Sequence, residues 1–126
     1  MLKLTMLMKR KPGMSFADFR DYYEGHHAPM ASRLCPNLVR YTRTYVTDCI
    51  AMSRKAELPE LDFDCITQCW YDVAGGWEER AKDLLPVDVF RQMVADEENF
   101  LDRTRTRLLI TEEEESPAEA LTGNRA

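Results

Sequence analysis

Residues 1–9, MLKLTMLMK, form a short apolar run closed by RKPG, a basic turn signal. In an extended chain alternate side chains face opposite ways, and here both sets, Leu2, Leu4, Met6, Met8 and Thr5, Leu7, are largely apolar. A strand of this kind needs cover on both faces. The run Leu38–Thr47 makes the same demand, since Val39, Tyr41 and Tyr45 oppose Leu38 and Val46. The sheet these strands enter is therefore expected to carry helices on one face and a second apolar layer on the other.

The remaining elements follow from period and punctuation. Ser15 is a good N-cap and Asp18, three residues on, approximates a capping box. Phe16, Phe19, Tyr23, Met30 and Leu34 then keep to one helical face, while Gly25 and Pro29 predict a break or kink in that helix. After Pro36-Asn37 and the strand Leu38–Thr47, the chain from Asp48 to Asp64 is mixed, contains Pro59 and suits a long irregular connection. Asp64–Asp72, DCITQCWYD, reads as a third strand ended by Gly75-Gly76. Trp77–Leu85 gives a turn or two of helix before Pro86. Val87, Phe90, Met93, Val94 and Glu97 then recur at helical spacing, and Thr104–Glu112 is the last strand.

The order strand, helix, strand, strand, helix, strand predicts an α+β chain. It is the ferredoxin-like βαββαβ arrangement, an antiparallel four-stranded sheet with helices on one face. The simplest cover for the other face is a second copy, which makes the expected assembly a homodimer, a dimeric α/β barrel. At 126 residues the chain accommodates one core, assigned here to residues 1–112. Residues 113–126 are rich in acid and nearly devoid of bulky apolar side chains, and are expected to be a disordered or loosely docked tail.

Charge and cysteine usage narrow the function. With a formal net charge of −5 and basic residues scattered through RKPG, RYTR and RTRTR, no nucleic-acid partner is expected. No apolar run approaches the roughly 18 residues of a membrane span. The first ten residues end in charge where a secretory signal would begin with it, so no membrane partner and a cytoplasmic location are expected. Cys35, Cys49, Cys65 and Cys69 form no C-x-x-C pair and are expected to be buried, reduced thiols.

Chemistry concentrates in Tyr22–Pro29, YYEGHHAP, which contains the chain's two histidines. On an ideal helix His26 and His27 fall on opposite flanks of the apolar stripe, so one of them can face inward. A neutral imidazole near pH 7 takes a proton from carbon or oxygen and returns it elsewhere, as enolisation followed by loss of water requires. Tyr23, four residues before His27, shares its face and could donate to a developing enolate. Tyr22, Tyr41 and Trp70 are candidate walls for an aromatic ligand, and Asp72 a candidate to orient a histidine. Each also has a plain reading as packing or, for Asp72, as a solvated strand end. Metal binding is not expected: adjacent histidines diverge by about 100° on a helix, and no further histidine completes a site. Gly75-Gly76 lacks the lysine and spacing of a phosphate cradle, so no cofactor is implied.

The run RKPGMSFADFRDYYEGHHAPMA, with K-P-G, a polar N-cap, F-R-x-Y-Y and H-A-P, resembles the signature of the EthD-like members of the dimeric α/β barrel superfamily. VFRQMVADEENFLDRT resembles that family's second helix, with its acidic pair and phenylalanine. The resemblance covers most of residues 1–112, and His27 is the position matching the family histidine, with His26 an extra neighbour. It implies a small cofactor-free enzyme that dehydrates, cyclises, decarboxylates or oxygenates polyketide-derived aromatics. The leading expectation is a cofactor-independent lyase, a dehydratase/cyclase or decarboxylase, with His27 as general acid/base. A cofactor-free anthrone-type monooxygenase and a non-catalytic small-ligand-binding barrel are the alternatives.

Overall fold

Pro12 and Gly13, the latter at φ 80, turn the chain away from its first strand, a conformation that only glycine adopts without strain. In the computed structural model, which describes residues 1–53 and 57–124, the elements are β1 (Leu2–Met8), α1 (Phe16–Tyr22), a π-helical turn (Tyr23–His27), α2 (Ala28–Leu34), β2 (Leu38–Tyr45), β3 (Cys65–Tyr71), α3 (Trp77–Leu84), α4 (Val87–Glu97) and β4 (Arg107–Ile110). The strands form one antiparallel sheet in the order β2-β3-β1-β4. This is the expected α+β, ferredoxin-like βαββαβ arrangement: β1 and β2, joined by the first helical segment, flank β3.

The doubly apolar β1 occupies an interior position, paired with β3 along its whole length and with β4 from Leu4 to Leu7. Its set Leu2, Leu4 and Met8 is buried beneath the helices. One core cluster joins Met8, Cys65, Phe19, Tyr23, Phe100 and Leu101; the other joins Leu2, Leu4, Cys69, Tyr71 and Leu84. Ser15 caps α1 as expected, its hydroxyl accepting the Asp18 amide at 3.1 Å.

Three local expectations are corrected. The helix does not break at Gly25 and Pro29. Tyr22, Tyr23, His27 and Ala28 all keep right-handed helical angles, and the Ala28 N–H bonds the Tyr23 carbonyl five residues back. One wide turn absorbs the missing proline N–H. β4 is shorter than Thr104–Glu112, because Asp102 accepts from both the amide and the hydroxyl of Thr104 and holds Arg103–Arg105 in a turn. Of the four cysteines, Cys65 and Cys69 are buried and Cys35 partly so, whereas Cys49 is exposed.

The outer sheet face differs most from expectation. A register shift between Leu38 and Arg40 leaves Val39 unpaired and exposed, so Leu38, Tyr41, Arg43 and Tyr45 all pair opposite residues of the helix-covered face. The grouping of Val39 with Tyr41 and Tyr45 therefore does not hold. The outer set becomes Lys3, Thr5, Leu7 on β1, Arg40, Thr42, Thr44 on β2, Ile66, Gln68, Trp70 on β3 and Arg107, Leu109 on β4. It is mixed, not uniformly apolar, and Trp70 lies between the Lys3 ammonium and the Arg40 guanidinium, 4.9 and 4.3 Å from its ring centroid.

The connection from Asp48 to Asp64 contains no helix or strand among its described residues, and residues 54–56 lie outside them. In the tail, Glu113 pairs with Lys3 at 2.6 Å and short 3-10 turns form at Ala118–Ala120 and Thr122–Asn124; residues 125–126 lie outside the described part. Among the described residues no helix is long and apolar enough to cross a membrane.

Candidate active site

A cavity of about 210 Å3 opens between the helix-covered sheet face and the helices. Its floor is Leu4, Met6, Met8, Tyr41, Cys69 and Tyr71, and its walls include His27, Ala31, Phe90 and Met93. Polar and charged groups enter at few points: His27, Tyr41, Glu97, Arg103, Thr106 and Arg107. A mostly apolar cavity with a few convergent polar groups is the usual form of a small-molecule site.

His27 is 2% exposed, and its Nδ1 is 2.7 Å from Asp96 Oδ2. Asp96, also buried, is on α4 and is 69 residues away in sequence. Its other oxygen accepts the Tyr22 hydroxyl at 2.6 Å and is 2.9 Å from His26 Nδ1. Asn99 in turn donates to the Tyr22 hydroxyl at 3.0 Å. The π turn makes this gathering possible, because it shifts the phase of the two histidines so that both address one carboxylate.

Electrostatics fix the protonation of the pair. Burial lowers the pKa of His27 below its ordinary 6.5 and outweighs the upward pull of Asp96. For Asp96, burial alone would raise the pKa, but hydrogen bonds from Tyr22, His27 and His26 hold it below the usual carboxylate value. Near neutral pH an ionised Asp96 therefore faces a neutral His27. A carboxylate only accepts, so the His27 proton is on Nδ1 and Nε2 retains its lone pair. Nε2 makes no hydrogen bond among the described residues, while the ring lines the cavity.

The phenols form a second string. Tyr23 is fully buried, its hydroxyl 2.8 Å from that of Tyr41 and 2.7 Å from Thr67 Oγ1, and its ring meets His27 edge-on at 5.6 Å. Burial pushes the pKa values of both tyrosines upward, so they remain neutral phenols. Tyr41 brings this string to the cavity; Tyr23 supports it from beneath.

Of the residues singled out from sequence, His27 and Tyr41 line the cavity, Tyr23 packs directly behind them, and Tyr22 and His26 bind the far oxygen of Asp96. Trp70 does not reach the cavity, because strand alternation turns it to the outer face and gives the wall position to its neighbour Tyr71. Asp72 is exposed beyond the end of β3 and orients no histidine; Asp96 makes that contact. Asp96, Glu97 and Arg103 were not among the candidates. The available signal was spacing: Val89, Met93, Asp96 and Phe100 recur at fours and threes, which sets a carboxylate in the apolar stripe of a helix. A carboxylate there requires a buried partner.

Similarity to known proteins converges on this fold and cavity. The EthD domain family matches residues 11–104. The chain is 32% identical over 121 residues to a conidial pigment biosynthesis dehydratase EthD of Metarhizium robertsii, covering 87% of this chain and 80% of that protein. It is 28% identical over 116 residues to Decarboxylase claH of Passalora fulva, covering 86% and 73%. Among solved structures, an EthD family protein of Bacillus halodurans superposes with a TM-score of 0.60 at 22% identity, covering 90% of this chain and all of that one. A protein of Arabidopsis thaliana does so with a TM-score of 0.60 at 9% identity, covering 93% and 99%. These relatives support a probable enzyme of the lyase type, within a group that includes polyketide-tailoring dehydratases and decarboxylases. With most of its length matched, the chain belongs to the EthD domain family.

Proposed function

We propose that the protein is a cofactor-independent dehydratase acting on a polyketide-derived aromatic β-hydroxyketone, with His27 as general acid/base. The observation that carries this reading is the 2.7 Å contact between His27 Nδ1 and the buried Asp96, which commits the proton to one side of the ring and leaves Nε2 as a base at the cavity. The carbon between a carbonyl and a hydroxyl-bearing carbon is acidic enough for an imidazole to deprotonate once the enolate oxygen is hydrogen-bonded. Tyr41, a neutral phenol backed by Tyr23, is suited to that oxygen. Elimination of the neighbouring hydroxyl then yields an enone that tautomerises to a phenol. Aromatic stabilisation of the product drives the reaction, and no electrons leave the substrate. Tyr41, Tyr71 and Trp77 suit a flat aromatic skeleton, and the relative named as a pigment dehydratase points the same way.

Comparing the protein with its His27→Ala variant on hydroxylated tetralones tests the reading. Turnover is expected to fall by about 10²- to 10⁴-fold, the usual worth of a positioned acid/base, and equal turnover by both would defeat it. A second reading, decarboxylation, is favoured by Arg103 and Arg107 in the cavity lining, which suit a substrate carboxylate, and by the relative named as a decarboxylase. Carbon dioxide release distinguishes it. An oxygenase reading requires that turnover stop under strict anaerobiosis.

The proposal extends to assembly. Leu7, Ile66, Trp70 and Leu109 on the outer sheet face, together with a Thr42 hydroxyl buried there without a partner among the described residues, favour a second copy as cover. A solution mass at 14.7 kDa at low micromolar concentration would refute the homodimer.

A further inference from the structure

Glu97 is the one acid that lines the cavity, and the His27–Asp96 pair makes no use of it. It follows Asp96 on α4, so adjacent residues of one helix end point to different tasks: Asp96 to His27 Nδ1, Glu97 to the cavity. Arg103, from the turn before β4, brings its Nε to 3.5 Å from Glu97 Oε2. We propose that Glu97 is the general acid of the reaction, protonating the departing hydroxyl while His27 removes the proton from the adjacent carbon. This rests on the dehydratase reading and adds a second catalytic group to it.

The chemistry requires such a group. Hydroxide is a poor leaving group, and a base alone delivers an enolate that returns to substrate as fast as it forms. In the step proposed, the C–H bond breaks and its proton goes to His27 Nε2. The electron pair forms the new C=C as the C–O bond breaks, and the Glu97 proton joins the departing oxygen, giving water. The Glu97 carboxylate so formed faces Arg103, which receives its charge. A proton then passes from His27 to Glu97 by way of solvent and restores both groups. Atoms and electrons balance with water as the only co-product.

The environment suits the two roles. Burial, reinforced by the neighbouring Asp96, raises the Glu97 pKa despite the opposing Arg103. Burial lowers that of His27. Two titratable groups in one cavity, displaced toward each other from their ordinary values, are the usual mark of an acid and base pair.

The test uses the full chain with two probes, 3-hydroxy-1-tetralone, which loses water to give 1-naphthol, and 3-acetoxy-1-tetralone, whose leaving group needs no proton. Glu97→Gln is expected to slow the hydroxy probe by about 100-fold or more and the acetoxy probe by less than about threefold. His27→Ala is expected to slow both. Glu97→Gln acting on the hydroxy probe as the unaltered protein does, or slowing both probes alike, overturns the role of Glu97 and leaves that of His27 intact. No acceleration of either probe by the unaltered protein overturns the dehydratase reading and this role with it. A measurement without variants guards against misfolding. In the unaltered protein the hydroxy probe should lose rate on a basic limb that the acetoxy probe lacks, and matching limbs overturn the proposal. The groups facing Glu97 in that titration are Asp96 on its own helix, Arg103 before β4 and Cys35 after α2, with His27, Arg107 and Tyr41 elsewhere on the cavity wall.

Discussion

The two sides of the Asp96 carboxylate meet two imidazoles at nearly the same distance, yet they are different places. On the inner side, His27 is 2.7 Å from Oδ2 and its side chain is 3% exposed; on the outer side, His26 is 2.9 Å from Oδ1 and its side chain is 60% exposed. Only the inner histidine lines the cavity, and only it shows a displaced pKa. A hydrogen bond to a carboxylate does not by itself make a catalytic histidine. Removal from water does, because it weakens the charged form of the ring and leaves a neutral base beside the substrate.

The strongest way to break this comparison is to remove what the two sides share. Asp96→Asn keeps the shape but offers an amide, which lets the His27 proton settle on either nitrogen. A loss of about 100-fold in kcat is expected, of the kind that follows when an orienting carboxylate is replaced in a catalytic dyad or triad. Asp96 acts through His27, so a second readout is needed. The imidazole nitrogen shifts of His27 should move from a single Nδ1–H tautomer toward a mixture. Unchanged shifts together with lost activity would make Asp96 a structural residue only.

Much of this arrangement was legible before the structure, and the reasons divide cleanly. Strand and helix order could be read because β1, β2 and β3 are bounded by Pro, Gly and Asn and because Phe16, Phe19 and Tyr23 keep a helical period. His27 could be singled out because histidine occurs only twice in the chain. Asp96 could not be joined to it, since nothing local ties residues separated by a whole sheet. Trp70 and Tyr71 could not be told apart, because each is aromatic and strand parity depends on a register that the bulge at Val39 shifts. Val87 and Phe90 misled in the same way. They have the spacing of a buried stripe but are largely exposed, and the buried side of α4 runs through Val89 and Asp96.

A smaller effect sharpens the comparison through pH. His27 acts as a base only when neutral, and burial lowers its pKa below 6.5. Activity should therefore be full above that value and fall as pH drops through the lower folded-state pKa, so the acid limb of kcat/KM should have its midpoint below pH 6.5. Asp96 pulls the His27 pKa upward, so in Asp96→Asn the limb should move further toward acid. A limb above pH 6.5 in the unaltered protein would mean that the carboxylate outweighs burial, and His27 would then be charged at the start of the reaction.

The smallest effect is expected on the outer side. His26 is exposed, stacks on Tyr22 with ring centroids 5.1 Å apart, and shares Oδ1 with the Tyr22 hydroxyl. If His26→Ala removes its contact, Oδ1 keeps the shorter 2.6 Å bond from Tyr22, and Oδ2 keeps His27. The carboxylate stays ionised and in place, and water replaces the lost donor. An exposed pair of this kind is worth about 0.5 kcal/mol or less, so kcat should change by no more than about twofold and the acid limb should hardly move. The variant thus separates two accounts of the HH pair. If His26 only props one oxygen of Asp96, its removal is nearly silent while Tyr22→Phe, which removes the shorter bond, costs more. A loss in His26→Ala approaching that of Asp96→Asn would mean instead that the outer histidine exchanges protons with the inner one through the shared carboxylate, and the division drawn here between the two sides of Asp96 would fail.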